Sequence, residues 1–163
     1  MDQIIEYIEA PAALGKVLVA CQEGRVTNVI LGKQQDSLLD LLKEYYPQAS
    51  PDSYKSVEGG KLDTRSDTSP DTNSNTRIAE YLNKIINYLS GNLKNPTQIL
   101  NDIPITFPKQ ATEWQIKLWT KMRDIPHGKT VTYGELAENA GGDKKAAIAV
   151  GGVCSSNRIA ILI

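Results

Sequence analysis

Hydrophobic and polar residues alternate with the period of a strand along the first third of the chain. Gln3 to Glu9 is followed by Gly15-Lys16-Val17-Leu18-Val19-Ala20-Cys21, the turn Gln22-Glu23-Gly24, and Arg25-Val26-Thr27-Asn28-Val29-Ile30-Leu31, closing at Gly32. Two β-rich runs separated by a short glycine-containing turn predict a hairpin. The period then lengthens. Leu38, Leu39, Leu41, Leu42 and Tyr45 recur at helical spacing between Asp36, an N-cap candidate, and Pro47, which cannot continue a helix. The pattern predicts a small antiparallel sheet with a covering helix in residues 1–49.

Residues 50–75 change character. The run Asp63 to Asn75 has almost no apolar side chains and cannot offset its ordering entropy by burial, so residues 50–75 are expected to be a flexible polar linker. Beyond it, Ile78, Tyr81, Leu82, Ile85, Ile86 and Leu89 give a helical apolar face from Thr76 to Ser90, stopped by Gly91. An extended stretch from Ile103 to Phe107 is bounded by Pro104 and Pro108. Thr112 caps a further helix through Trp114, Ile116, Leu118, Trp119 and Met122, which Ile125-Pro126 breaks. Thr132 and Glu135 have the capping-box spacing, which puts Tyr133 in the exposed first turn of a new helix. Gly141-Gly142 ends it, and Asp143 can cap a second helix from Lys144 to Val153. Two short helices joined by a glycine-containing turn form a helix-turn-helix unit, a unit found in DNA-binding domains, within a helical segment of residues 76–163.

The second of these helices is built from small residues: Ala146, Ala147, Ala149, Gly151 and Gly152. Such a face suits close approach of a backbone to a narrow minor groove, or tight packing of helix on helix. Charge does not choose between them. With 18 basic against 19 acidic residues the 163-residue chain carries a net charge of -1, so no global positive field advertises nucleic acid. Two cysteines, Cys21 and Cys154, and the single histidine His127 are too few for a four-ligand Cys/His zinc site. All three read as structural or surface residues, with no metal and no cofactor expected. The start of the chain has no secretory pattern, and no run approaches the roughly 18 apolar residues of a membrane span, so the expected location is the cytoplasm.

The segment from Pro108 to Ile163 resembles the C-terminal domain of O6-alkylguanine-DNA alkyltransferases, repair proteins that move an alkyl group from a DNA base to their own cysteine. The resemblance rests on Trp114-Gln115 and Trp119, on Ile125-Pro126-His127-Gly128-Lys129-Thr130-Val131-Thr132-Tyr133, on Lys145 to Gly152, and on Asn157 to Ile163. Cys154-Ser155-Ser156-Asn157 is most similar to the bacterial adaptive-response branch. The likeness implies an α/β fold: a ribonuclease-H-like antiparallel sheet with a covering helix, followed by a winged-helix-like helical domain containing the helix-turn-helix. It implies double-stranded DNA as partner, bound in the minor groove by a monomer with the alkylated guanine flipped out of the stack. Tyr133 would press on the phosphate 3' to the target and help rotate the base. Thr132, Ala146, Ala147, Ala149, Gly151 and Gly152 would lie in the groove, and Asn157 would orient the turn that leads to the nucleophile. Lys129, Lys144 and Lys145 are candidate phosphate contacts.

The departures from the family pattern shape the functional expectation. The family's nucleophile lies in a Pro-Cys-His-Arg-Val motif directly after the run equivalent to Asn157 to Ile163, and the chain ends one residue before that proline. Neither that cysteine nor the histidine and glutamate that activate it is present, so no catalytic residue is assigned and the chain is expected to be inactive as an alkyltransferase. The arginine that the family inserts into the base stack corresponds to Ile148, which can wedge apolar volume but cannot hydrogen-bond the orphaned partner. An extra residue near Asp143-Lys144-Lys145 is expected to shift the start of the recognition helix. Two other readings stand beside inactivation: a non-catalytic alkyltransferase-like protein that binds lesions, and a non-functional remnant. The apolar end Ile159-Ala160-Ile161-Leu162-Ile163 is expected to lack burial partners and to leave the chain marginally stable and aggregation-prone.

Overall fold

The computed structural model describes residues 4–57 and 74–163. Strands β1 (Ile5–Ala12), β2 (Gly15–Gln22) and β3 (Arg25–Gly32) form an antiparallel meander, as the alternation predicts. A fourth strand, β4 (Tyr54–Ser56), pairs parallel to β1, which makes the sheet mixed, in the order β3-β2-β1-β4. The expected all-antiparallel sheet is corrected here for a topological reason. The chain leaves β3 through helix α1 (Leu38–Glu44) and returns on the far edge in the same direction, as a crossover connection requires. The 3-10 turn Pro51–Ser53, strand β4 and the buried Val57 lie inside the stretch expected to be flexible linker, which is corrected there, and residues 58–73 fall outside the described residues.

Strand β2 is buried on both faces, which its unbroken Val17-Leu18-Val19-Ala20-Cys21 run signals. On one face Leu18, Ala20 and Ile30 pack with Ile5 against Leu38 and Leu42 of α1. On the other, Val17, Val19, Cys21, Val26 and Val29 meet Ile78, Tyr81, Leu82 and Ile85 of helix α2 (Ser74–Leu89). Val26 and Val29 share that face, although three residues apart, because the β2–β3 register shifts at Ala20/Cys21. The unmatched Thr27 donates its hydroxyl hydrogen to the Ala20 carbonyl at 3.2 Å. Helix α1 starts one residue later than expected. Ser37 is its N-cap, whereas the Asp36 carboxylate accepts the Lys33 N–H at 2.7 Å and closes the preceding turn instead.

Short helix α3 (Pro96–Asn101) leads to a second group, α4 (Glu113–Arg123), α5 (Tyr133–Asn139) and α6 (Ala147–Ser155). Their own core is Leu118, Trp119, Leu136, Ala137, Val150 and Val153. Two stretches fasten this group to the sheet by bonding the free edge of β3. The Val26 N–H donates to the Pro104 carbonyl and the Thr106 N–H to the Val26 carbonyl, both at 2.9 Å, and the Val29 N–H donates to the Arg158 carbonyl at 2.9 Å. Ile105 and Ile159 thus form isolated parallel bridges with Val26 and Val29.

The expectation for the apolar end is overturned by this docking. Ile159 and Leu162 are 1% and 2% exposed, buried against the sheet and α2 among residues that precede them in the chain. Ile161 and Ile163 pack on the same cluster in part. The predicted marginal stability loses its physical basis, because the burial partners are present. Ile159→Ala removes a fully buried aliphatic side chain beside an edge bridge, so denaturant unfolding should show a loss of about 2–5 kcal/mol.

Candidate nucleic-acid interface

Helix α5 opens with the capping box its sequence predicts. The Thr132 hydroxyl accepts the Glu135 N–H at 3.2 Å, and the Glu135 carboxylate accepts the Thr132 N–H at 2.7 Å. The Thr132 backbone bond, reinforced by its hydroxyl, holds the Glu135 carboxyl below its ordinary range. The same device starts α4, where Thr112 and Gln115 bond reciprocally. The T-x-x-Q spacing carries that signal, although the sequence reading takes only its Thr112 half.

Helix α5 ends in a Schellman arrangement: Gly141, at φ +81°, donates its N–H to the Glu138 carbonyl, and Gly142 donates to the Ala137 carbonyl at 2.9 Å. Gly142 has a second role. A Cβ there would collide with the ring of Trp114, so the turn between the helices can fold back onto α4 only with glycine at this position. Asp143 caps the next element, its carboxylate accepting the Lys145 N–H at 2.7 Å, but that element is not the expected single helix. A 3-10 turn, Lys144–Ala146, comes first, and α6 begins at Ala147. This break falls at the place where an extra residue is expected to shift the helix start.

The turn and helix pair bring the sequence-selected residues to one region. Thr132 and Tyr133 stand at the start of α5, Lys144 and Lys145 lie exposed in the 3-10 turn, and Ala146 closes it. Ala147, Ile148, Ala149, Gly151 and Gly152 follow on α6. The Tyr133 ring lies over Gly151: a Cβ on that glycine would sit 3.4 Å from the ring, which links the two helices at their exposed side. Tyr133 is 52% exposed and Ile148 is 92% exposed, the most exposed large apolar side chain among the described residues. Gly152 faces open space. Lys129 is also exposed, in the loop before α5.

The buried side of α6 is held by α4. The Trp119 indole N–H donates to the Val153 carbonyl at 3.1 Å, and its ring stacks on Phe107 with centroids 5.5 Å apart. Arg123 ties the end of α4 to the end of α3 by donating to the carbonyls of Leu100, Asn101 and Ile103 at 2.6 to 3.1 Å. Sequence reasoning missed this clamp; a lone arginine near a helix end gives no hint of carbonyls twenty residues upstream. Asn157 stands just past α6 and braces the final turn. Its side-chain oxygen accepts the Ile159 N–H at 2.8 Å and its amide donates to the Ile163 carbonyl at 3.3 Å. Between those bonds Ile161 is held at φ +74°, a conformation that a β-branched residue rarely adopts.

The two thiols are poor nucleophiles for different reasons of position. Cys21 is buried in the sheet, where desolvation, helped by the nearby Glu6 charge, pushes its pKa up to about 12. Cys154 is half-buried, donates to the Met122 sulfur at 3.7 Å, and is also raised by burial. His127 is exposed and sits apart from both; its Nδ1 lies 3.4 Å from the Tyr88 hydroxyl, and its backbone N–H donates to Thr97 at 2.9 Å. Among the described residues no group of three or more His, Cys, Asp or Glu side chains could hold a metal ion, and no helix is long and apolar enough to cross a membrane.

Residues 113–163 match the family model of the 6-O-methylguanine DNA methyltransferase DNA-binding domain. Over 161 residues the chain is 29% identical to the bifunctional transcriptional activator/DNA repair enzyme Ada of Escherichia coli, covering 98% of this chain and 37% of that protein. It is 37% identical over 76 residues to a methylated-DNA--protein-cysteine methyltransferase of Methanosarcina acetivorans, covering 47% of this chain and 44% of that one. The chain thus spans less than half the length of these curated relatives. The crystal structure of Mycobacterium tuberculosis O6-methylguanine methyltransferase superposes with a TM-score of 0.66 at 20% identity, over 98% of this chain and 74% of the other. The same M. tuberculosis protein in complex with DNA gives a TM-score of 0.64 over 96% of this chain and 73% of the other. The fold is that of the O6-methylguanine methyltransferases.

Two glycine substitutions separate packing from surface. Gly142→Ala drives a methyl group into Trp114 and should lower stability by about 1–3 kcal/mol, whereas Gly152→Ala fills open space in a helix interior and should raise it by up to about 1 kcal/mol, both read from thermal or denaturant midpoints. The Glu135 carboxyl, held low in the fold, contributes stability above its unfolded pKa of about 4.3 and surrenders it as pH falls through the lower folded value. Protection of the Thr132 amide should therefore be constant near neutral pH and disappear only under acid conditions.

Proposed function

We propose that the helix pair α5–α6 binds double-stranded DNA from the minor groove at an O6-alkylated guanine, and that the chain does so as a monomer. The observation that carries the reading is the pairing of an exposed Tyr133 with an almost fully exposed Ile148 on a face otherwise made of alanine and glycine, within a segment matching a methyltransferase DNA-binding domain. Thr132, Ala146, Ala147, Ala149, Gly151 and Gly152 then line the groove, where the absence of bulk lets the helix backbone approach. Lys144 and Lys145, with Lys129, take phosphates and make binding salt-dependent. Tyr133 presses on the backbone beside the target while Ile148 enters the stack as an apolar wedge, and Asn157 fixes the turn at Ile159 to Ile163 beneath the extruded base.

The methyltransferase relatives act through a cysteine, but neither thiol here suits that role. Cys21 is sealed in the sheet at a pKa of about 12, and Cys154 is raised and turned to Met122, with the only histidine of the chain engaged elsewhere. The proposed function of these residues is therefore recognition of the lesion without transfer to Cys21 or Cys154.

The test is a duplex containing O6-methylguanine labelled in the methyl group, followed by native and denaturing electrophoresis. A salt-sensitive shift favouring lesion over undamaged duplex, with no label on protein, is expected. Stoichiometric label on either cysteine, or no shift at low salt, overturns the reading. Gly152→Ala and Ile148→Ala, neither of which disturbs a buried contact, should each weaken the shift by about tenfold with thermal midpoints no lower than that of the parent chain.

A further inference from the structure

A cleft of about 680 Å³ opens on the side of the sheet away from α2, between the loop after α1, the start of β3 and the arm 106–110 that leads into α4. Its size is in the range of small-molecule sites, roughly 300–1,000 Å³. Its lining is unusual in charge. Arg25, Lys109 and Arg158 border it, and among the described residues the sole carboxylate lining it is Glu23. Among the described residues none of the three cations forms one of the salt bridges Glu9–Lys16, Asp40–Lys43 and Lys121–Asp124, and Arg25 donates to the Ile105 carbonyl at 3.4 Å. Arg158 is half-buried; it donates to the Tyr45 carbonyl at 3.3 Å and its guanidinium carbon lies 4.8 Å from the centre of the Tyr45 ring. In a chain with one more acid than base, a half-buried guanidinium flanked by two further cations, with Glu23 as the lining carboxylate among the described residues, leaves a concave region of positive potential.

The remaining wall is aromatic. Tyr45, Tyr46 and Phe107 line the cleft, and Tyr46 is set in place by donating its hydroxyl hydrogen to the buried Asn28 side chain at 2.6 Å. We propose that this cleft is a second binding site, separate from the helix pair, for a nucleoside phosphate. The phosphate lies on Arg25, Lys109 and Arg158, and the planar base lies against the aromatic wall. Guanidinium groups and an ammonium supply the donors that phosphate oxygens need, and ring faces accept any base by stacking. A free nucleotide and a nucleotide within a single strand share this chemistry.

The experiment titrates the 163-residue chain with dGMP, with inorganic phosphate and with a short oligothymidylate, read by calorimetry and amide chemical shifts. Trp119 emission gives an independent signal, because its ring stacks on Phe107. Saturable dGMP binding is expected, with shifts confined to Arg25, Lys109, Arg158 and their neighbours, a changed Trp119 emission, and weaker binding of inorganic phosphate. Arg25→Gln combined with Lys109→Gln alters two exposed side chains and should weaken dGMP by about tenfold or more at an unchanged melting point. Tighter binding of the oligothymidylate than of dGMP identifies the strand as the source, and equal or weaker binding identifies the free nucleotide. Absence of binding by both overturns the proposal, as do shifts that centre on Tyr133 and Ile148 and persist in the double variant. Inorganic phosphate binding as tightly as dGMP overturns the assignment of the aromatic wall.

Discussion

The free edge of β3 is the constraint on which the architecture depends. An unpaired strand edge exposes donors and acceptors that water or another chain will otherwise take. Here Pro104, Thr106 and Arg158 take them, and in doing so pin both ends of the helical group to the sheet. One contact precedes α4 and the other comes after α6, so the helix-turn-helix is suspended between two attachments to one strand. Its orientation relative to the sheet is set by those attachments, together with Ile159 and Leu162 sinking into the core shared with α2.

The same anchoring backs the candidate interface. Trp119 bonds α6 through Val153 and stacks on Phe107, which belongs to the arm just beyond the first edge contact. Arg123 gathers three carbonyls from the end of α3 and the approach to that arm. Helices α5 and α6 are therefore held from behind, leaving the face with Tyr133 and Ile148 free. The arrangement separates two kinds of small residue. Gly142 is required by packing against Trp114, while Gly152 packs against nothing and keeps a surface low. The same attachments create the cationic cleft, because Arg158 and the arm 106–110 meet the loop after α1 only when the edge of β3 is capped.

Local chemistry is legible in the sequence wherever a residue acts on its near neighbours. The hairpin, the amphipathic face of α2, the box at Thr132 and Glu135, the glycine stop at Gly141 and the cap at Asp143 all rest on interactions within about five residues. Differences arise where two local options compete or where a partner lies far along the chain. Asp36 and Ser37 are both capable caps, and the turn at Lys33 claims the first. The 3-10 turn at Lys144–Ala146 interrupts a sequence whose propensities permit a continuous helix. The burial of the apolar end is invisible to local pattern because its partners are Val29 and the α2 face, far upstream in sequence.

The sequence by itself determined strands β2 and β3, helices α1, α2, α4 and α5, the small-residue face of α6, the exposed start of α5 and the resemblance to the alkyltransferase family, since each is carried by short-range pattern. Only the tertiary structure decided that β4 joins parallel to β1, that Ile159 and Leu162 are buried, that Cys154 lies against Met122, and that Arg25, Lys109 and Arg158 border one cleft. Burial and pairing depend on which distant segments meet, and hydrophobic period reports which side of an element turns inward without naming what it meets there.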